Sequence, residues 1–195
     1  MNNAINKIES TTSSPSGSGH QVEFYDTEKT LCKAVAEFLE PGIKSGDLMI
    51  VIVTPQHREG IFQVLQSRGF AVDDLVFSKQ LVWLNARAVL AAFMDGDVPN
   101  AELFNRVVGK IFEDTRAGRD HLAIRAFGEM VDILCRDGNH NAAILLEQLW
   151  NHLGKTHGFF LTCAYALGNF YNEVHWRHYR EICEQHQHVA LVGEA

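Results

Sequence analysis

Glu129 follows Gly128 at the end of an apolar run from His121 to Phe127. An acid directly after a strand and a glycine stands at the carboxyl edge of a sheet. There it can serve as a general base, a metal ligand or a hydrogen-bond acceptor for a ligand. The plainer alternative is an acid stabilised by the N-terminus of its own helix. A second strand-turn-helix places Thr54-Pro55-Gln56-His57 at a comparable edge. A phosphate-binding loop needs glycines for close backbone approach and a lysine for the terminal phosphates. This turn has neither, and proline removes a donor N–H. Gly154-Lys155-Thr156 imitates part of such a loop but has Leu149 where the earlier glycine belongs, and it ends a helix. The helix start at Thr54 can still attract an anion, or be a simple capped turn. His57 faces the edge as a donor or titrating group, or faces solvent.

Ten histidines are many for this length. His175 and His178 are three apart, and Cys183, His186 and His188 read C-x-x-H-x-H. Cys183 and His186 fall on one helical face, and thiolate plus imidazole suits zinc, copper or haem iron. A structural zinc site needs about four ligands, and no partner pair stands at a recognised spacing. The alternative is a terminal amphipathic helix with a polar end. Cys163 and Tyr165 alternate in facing direction with Thr162 and Ala164, so one pair can line a cavity while the other packs under helices. Phe24, Tyr25, Phe127, Tyr165 and Phe170 wall an apolar pocket or belong to the core. No G-x-S-x-G elbow exists, and no convergent acid, base and nucleophile can be assembled, so an enzyme is not expected.

These residues need a scaffold. Residues 1–19, rich in Ser, Thr and Gly, read as a disordered leader. Val22 to Tyr25 is a short strand, and Asp26 or Thr27 caps a helix ending at Pro41-Gly42. Leu48 to Val53 is a continuous apolar run, expected as a central parallel strand. Thr54-Pro55 then starts a helix to about Arg68 that buries Ile61, Phe62 and Leu65. Leu81 to Leu84 is a third strand. A short helix carries Val89, Leu90, Phe93 and Met94, and a turn follows from Asp95 to Asn100. A longer helix from Phe104 to Phe112 closes at Ala117-Gly118. The strand 121–127 leads to a helix, a break at Asp137-Gly138-Asn139, and a second helix. In that helix Ala142, Leu145, Leu146, Leu149 and Leu153 form the apolar face, with Glu147, Gln148, Asn151 and His152 opposite. Phe159 to Leu167 is a fifth strand. A last helix from about Asn172 to Glu184 buries Trp176, Tyr179 and Cys183, and 191–195 form a tail. Alternating strands and helices make an α/β fold: a mostly parallel sheet of about five or more strands, flanked by helices.

The chain has 195 residues, 46% hydrophobic and 21% charged, enough for one sizeable core. A net charge of −7 without a basic run argues against direct nucleic-acid or anionic-membrane binding. No apolar run approaches the roughly 18–20 residues needed to span a bilayer, and the polar N-terminus is no secretory signal. Cys32, Cys135, Cys163 and Cys183, without a CxxC, read as reduced thiols of a cytoplasmic protein.

Several segments together resemble a known family. These are His20-Gln21-Val22-Glu23-Phe24-Tyr25, Gly42-Ile43-Lys44-Ser45-Gly46-Asp47 and Thr54-Pro55-Gln56-His57 near the start. Arg125-Ala126-Phe127-Gly128-Glu129-Met130-Val131, the Gly138-Asn139 break, Ala142-Ala143, Leu146-Glu147 and Leu149-Trp150-Asn151 stand in the middle. Leu161-Thr162-Cys163-Ala164-Tyr165 and Ile182-Cys183-Glu184-Gln185-His186 stand near the end. Over about 20–190 the chain resembles the MEDS domain, the sensory domain named for methanogen and methylotroph proteins and the dichloromethane-response regulator. The Gly-Glu-Met segment with the Leu146–Asn151 helix is its most specific part.

The resemblance implies a RecA/KaiC-like three-layer fold without a functional phosphate loop. It implies a sensory, non-catalytic role, directed at small molecules such as hydrocarbon derivatives. Relatives are commonly joined to a DNA-binding domain or a histidine kinase. Nothing outside 20–190 is long enough to fold as either, so output is expected through a partner.

The leading expectation is a cytoplasmic signal-sensing module whose small ligand is lined or bordered by Tyr25, Thr54, His57, Glu129, Cys163 and Tyr165. The partners expected are that ligand and a signalling protein, a histidine kinase or transcriptional regulator, with a homodimer as a further state. Two alternatives stay open: a non-catalytic scaffold that oligomerises, and a metal or haem sensor using Cys183 and His186. The sequence identifies no cofactor.

Overall fold

The computed structural model describes residues 19–171 and 176–193. Apart from Gly19, the expected leader lies outside the described residues. Strand β1 is Gly19–Tyr25 and helix α1 is Glu28–Ser45. Thr27 caps α1: its side chain accepts from the Thr30 N–H, while the Thr30 hydroxyl accepts from the Thr27 N–H. The helix does not stop at Pro41-Gly42. It continues to Gly46, whose φ of 82° suits the left-handed cap. Gly42 instead lets α1 approach the sheet, since a Cβ there would lie 2.5 Å from Arg125 Cδ.

Strand β2 (Leu48–Val53) is buried throughout. Helix α2 (Pro55–Ser67) follows with Thr54 as its cap, and buries His57 beside Ile61 and Leu65. Phe62 is only partly buried. A short helix absent from the sequence reading, α3 (Val72–Phe77), leads to β3 (Leu81–Asn85) and α4 (Ala86–Ala91). The expected turn after α4 is a small hairpin of β4 (Met94–Asp95) and β5 (Val98–Pro99). One helical segment then comprises α5 (Ala101–Phe104), a π turn (Asn105–Gly109) and α6 (Lys110–Arg116).

Strand β6 is Ile124–Gly128, later and shorter than the expected 121–127. Helices α7 (Met130–Arg136) and α8 (His140–His157) lead to β7 (Phe160–Ala166). A 3-10 turn (Leu167–Phe170) precedes α9 (Trp176–Glu184), and β8 (His188–Val192) ends the sheet. The start expected for the last helix, 172–175, lies outside the described residues. Within α9 it is Ile182 that is buried, whereas Trp176 is 55% exposed and stacks on Tyr179. Strand β8 includes residues 191 and 192, which the sequence reading left to a tail.

Among the described residues the main sheet has six parallel strands in the order β3-β2-β6-β7-β1-β8, with helices on both faces. On one face α1, α2 and α3 cover Met49, Val51, Val53, Phe127 and Ala164. On the other, helices α4 to α9 cover Leu48, Ile50, Ile52, Ala126, Leu161 and Cys163. From β2 the chain runs through α2 and α3 out to β3. From β6 it runs through α7 and α8 on the opposite face, in the opposite direction, to β7. Adjacent strands whose exits diverge leave a crevice at their carboxyl ends, where open α/β sheets hold ligands. Thr54 and Glu129 are the residues immediately after those two strands. Among the described residues no helix is long and apolar enough to cross a membrane.

Candidate functional site

Glu129 is fully buried at the divergence of β2 and β6. It is the cap residue of α7, but its side chain makes no bond to that helix. Instead it reaches across the crevice. One carboxylate oxygen accepts the backbone N–H of Thr54, and the other meets Nδ1 of His57. The Thr54 hydroxyl accepts from the His57 N–H at 3.4 Å. The helix whose N-terminus stabilises this acid is therefore α2, not its own. An anion does sit at the start of α2, as helix termini favour, and that anion is an internal carboxylate.

Asp132, one turn into α7 and also fully buried, extends the cluster. Its Oδ2 accepts from the Tyr25 hydroxyl at 2.9 Å and pairs with Arg136 at 2.5 Å. Its Oδ1 accepts from the Ala166 N–H at 2.8 Å and the Asn169 amide at 2.7 Å. Burial, with the Asp132 carboxylate alongside, raises the Tyr25 hydroxyl well above the ordinary phenol range. The Tyr25 ring meets His57 edge-on at 6.4 Å. Tyr25, Thr54, His57 and Glu129 are thus brought together, with Asp132 as the member that sequence reasoning missed.

Cys163 and Tyr165 are not with them. They project to the opposite face, under α8, and pack around Glu147. The sequence reading put Glu147 on the polar side of α8, yet it is fully buried while Leu145 is 40% exposed. Ala143 and Trp150, both buried, lie four before and three after Glu147 on the same face. That spacing was the available signal. The Tyr165 hydroxyl donates to Glu147 Oε1 at 2.6 Å. His20 Nε2 lies 3.3 Å from Glu147 Oε2 and 3.3 Å from Cys163 Sγ, and His186 Nε2 lies 3.4 Å from Glu147 Oε1. Burial, with the Glu147 charge beside it, pushes the Cys163 thiol well above its ordinary range. Burial alone would raise Glu147, but the adjacent His186 and His20 outweigh it and hold the carboxyl well below its usual range. Of the expected metal pair, His186 belongs to this group. Cys183 does not; it is half-buried on α9, four residues after Tyr179. His175 lies outside the described residues.

The aromatic residues do not wall one pocket. Phe24, Tyr165 and Phe170 cluster with Tyr179 in the core under α8 and α9, whereas Phe127 packs on the other face. A cleft of about 460 Å³ opens beside the β2–α2 turn. It is lined by Val53, Pro55, Arg58, Phe62, Trp83 and Asn85, among others, with Glu59 and Asp73 also at its wall. Arg58 sits 5.8 Å over the Trp83 ring, and the Trp83 indole N–H finds no acceptor among the described residues.

Over residues 19–187 the sequence matches the family model described as MEDS, the methanogen/methylotroph, DcmR sensory domain. The match covers most of the chain, and the chain belongs to that family. No curated protein matches it.

Proposed function

We propose that this sensory-domain protein binds a small organic molecule, a hydrocarbon derivative, in the cleft at the carboxyl ends of β2 and β3, which borders the β2–β6 crevice at the Thr54 turn. It reports that molecule to a partner protein in a signal-transduction or transcriptional pathway. The observation that carries the reading is the cleft beside the β2–α2 turn, whose wall includes both neighbours of Thr54. Its volume of about 460 Å³ lies in the range of small-molecule clefts and leaves room for a molecule well beyond two carbons. Phe62, Trp83 and Leu84 supply apolar wall, and Arg58, Asp73 and Asn85 supply the few polar groups that fix orientation.

The clamp behind the cleft provides the relay. Thr54 is held through its N–H by Glu129, and Glu129 directly precedes α7. A ligand that moves the first turn of α2 changes that hydrogen bond and shifts the α7–α8 pair against the sheet. The ligand biases the equilibrium only by its different affinity for the two arrangements. The partner reads the outer surface of α8, where Leu145 is exposed. Both Glu129 oxygens have internal partners, so this carboxylate holds the β2–α2 turn and is not offered to a reacting molecule.

The test is equilibrium binding of alcohols, amines, halides and carboxylates of increasing carbon number to the wild type and to folded Trp83→Ala and Arg58→Ala variants. A binder weakened about tenfold or more by Trp83→Ala, roughly the loss of one good apolar contact, supports the cleft. A binder indifferent to both substitutions sinks it.

A further inference from the structure

We propose that His20, Glu147, Cys163 and His186 together bind one zinc ion, in a buried site separate from the crevice. The four residues come from different elements: the first residues of β1, the middle of α8, the middle of β7, and the turn after α9. All four are buried, and one ligand atom from each lies within 4.8 Å of all the others.

The distances fit a tetrahedron. Zinc takes imidazole and carboxylate at about 2.0 Å and thiolate at about 2.3 Å, so the edges between ligand atoms are about 3.3–3.5 Å. His20 Nε2 to Cys163 Sγ is 3.3 Å, and Glu147 meets His20 Nε2 at 3.3 Å through Oε2 and His186 Nε2 at 3.4 Å through Oε1, so a small turn of the carboxylate brings one oxygen towards both rings. The remaining edges have room to close within 4.8 Å.

The surrounding hydrogen bonds prepare the two rings as ligands. His186 Nδ1 lies 2.7 Å from the Ile182 carbonyl, which accepts only from a protonated nitrogen. His20 Nδ1 lies 3.0 Å from Asn151 Oδ1, and the Asn151 amide nitrogen donates to the Gln185 carbonyl at 3.1 Å. That second bond fixes which way the amide points, so His20 Nδ1 also carries its proton. Both rings then turn a bare Nε2 inward, as metal-bound histidines do when their other nitrogen is held by a carbonyl or amide. Two of the inward atoms, His186 Nε2 and Glu147 Oε2, meet no hydrogen-bond geometry with any described group although both are buried. Orphaned buried polar atoms converging on one point indicate an ion between them.

Charge and ligand type choose the metal. Two neutral imidazoles, a carboxylate and a thiolate around a divalent cation sum to zero, which a fully buried site requires. One sulfur and two nitrogens disfavour magnesium and calcium, which take oxygen. Four protein ligands leave no open position, so the ion is structural. It ties α8 and the turn after α9 to β1 and β7. The competing arrangement is a metal-free cluster in which a protonated histidine pairs with Glu147.

The full chain, expressed with zinc supplied and dialysed against a weak chelator, should retain about one zinc per chain by elemental analysis. Cobalt added to the stripped protein should give a thiolate-to-metal absorption band. Cys163→Ser should abolish that band, and Asn151→Ala should weaken binding about 10–100-fold. Cys183→Ser should leave zinc content unchanged. A folded wild type that takes up neither zinc nor cobalt overturns the proposal, as does zinc lost with Cys183→Ser and kept with Cys163→Ser. Because the wild-type titration decides by itself, a variant that fails to fold leaves the test intact. Metal content is read independently of small-molecule binding in the cleft, so either conclusion can fail alone.

Discussion

His57 and Glu129, 72 residues apart in the chain, are joined ring nitrogen to carboxylate at a point that solvent barely reaches. Their pairing fastens the first turn of α2 to the residue that opens α7. Removing Glu129 strands the Thr54 N–H and the His57 ring, and removing His57 leaves one Glu129 oxygen without a partner; a buried polar group that loses its partner costs about 1–3 kcal/mol, more for a charged one. Glu129→Ala is therefore expected to destabilise the fold by about 3 kcal/mol in urea unfolding. The His57→Ala, Glu129→Ala double variant should lose clearly less than the sum of the singles. Strict additivity would show that the two side chains do not act as one clamp.

Tyr25 and Asp132 give a graded version of the same experiment. Tyr25→Phe removes one donor from Asp132 and leaves Ala166, Asn169 and Arg136 in place. About 1–2 kcal/mol should be lost. Asp132→Ala strands every one of those donors and should cost at least twice as much. Equal losses in the two variants would contradict the view that this carboxylate organises the β7 exit.

Glu23 predicts a pH effect of unusual sign. It is buried on β1, with one carboxylate oxygen lacking a hydrogen-bond partner among the described residues. Burial, assisted by Glu37 of α1, raises its pKa from 4.5 to about 7. A folded-state acid with a raised pKa binds its proton more tightly than the unfolded chain does. Its unfavourable contribution is therefore absent below about pH 4.5, grows as pH rises towards 7, and is constant above. The full effect is up to about 3 kcal/mol. Glu23→Gln should make the protein more stable at pH 8 by about 1–3 kcal/mol, with the difference from wild type vanishing near pH 4.5. Chemical unfolding at several pH values measures it, and a difference independent of pH would refute the assignment.

Much of this was legible in the residues. The all-apolar run Leu48–Val53 marks a central parallel strand because both its faces are buried. Gly128-Glu129 and Thr54-Pro55 mark strand ends, so three of the clamp residues and Tyr25 could be named in advance. What failed had local and tertiary causes. Pro41 looked like a stop, yet the helix tolerates it and ends at Gly46, since Gly42 is there to admit Arg125. Strand β8 has an apolar run of only four residues, Val189 to Val192, against the six of β2, and lies half exposed at the sheet edge. Glu147 reads as a solvent residue because a carboxylate normally is one. Only tertiary contacts reveal that His20, Cys163, Tyr165 and His186 surround it. Cys163 and Tyr165 were rightly seen to share a face, but nothing in a single strand says which face holds the crevice.

The central claim, that a small molecule is sensed in the cleft beside the β2–α2 turn, is tested most directly by amide NMR of the isotopically labelled chain. Alcohols, amines, halides and carboxylates of increasing carbon number would be titrated in turn. A binder should shift the amides of Thr54, His57 and Trp83 first and those of Glu129 and α7 with them, and Glu129→Ala should uncouple the second group from the first. A binder whose shifts cluster elsewhere, or a panel with no binder at all, would contradict it.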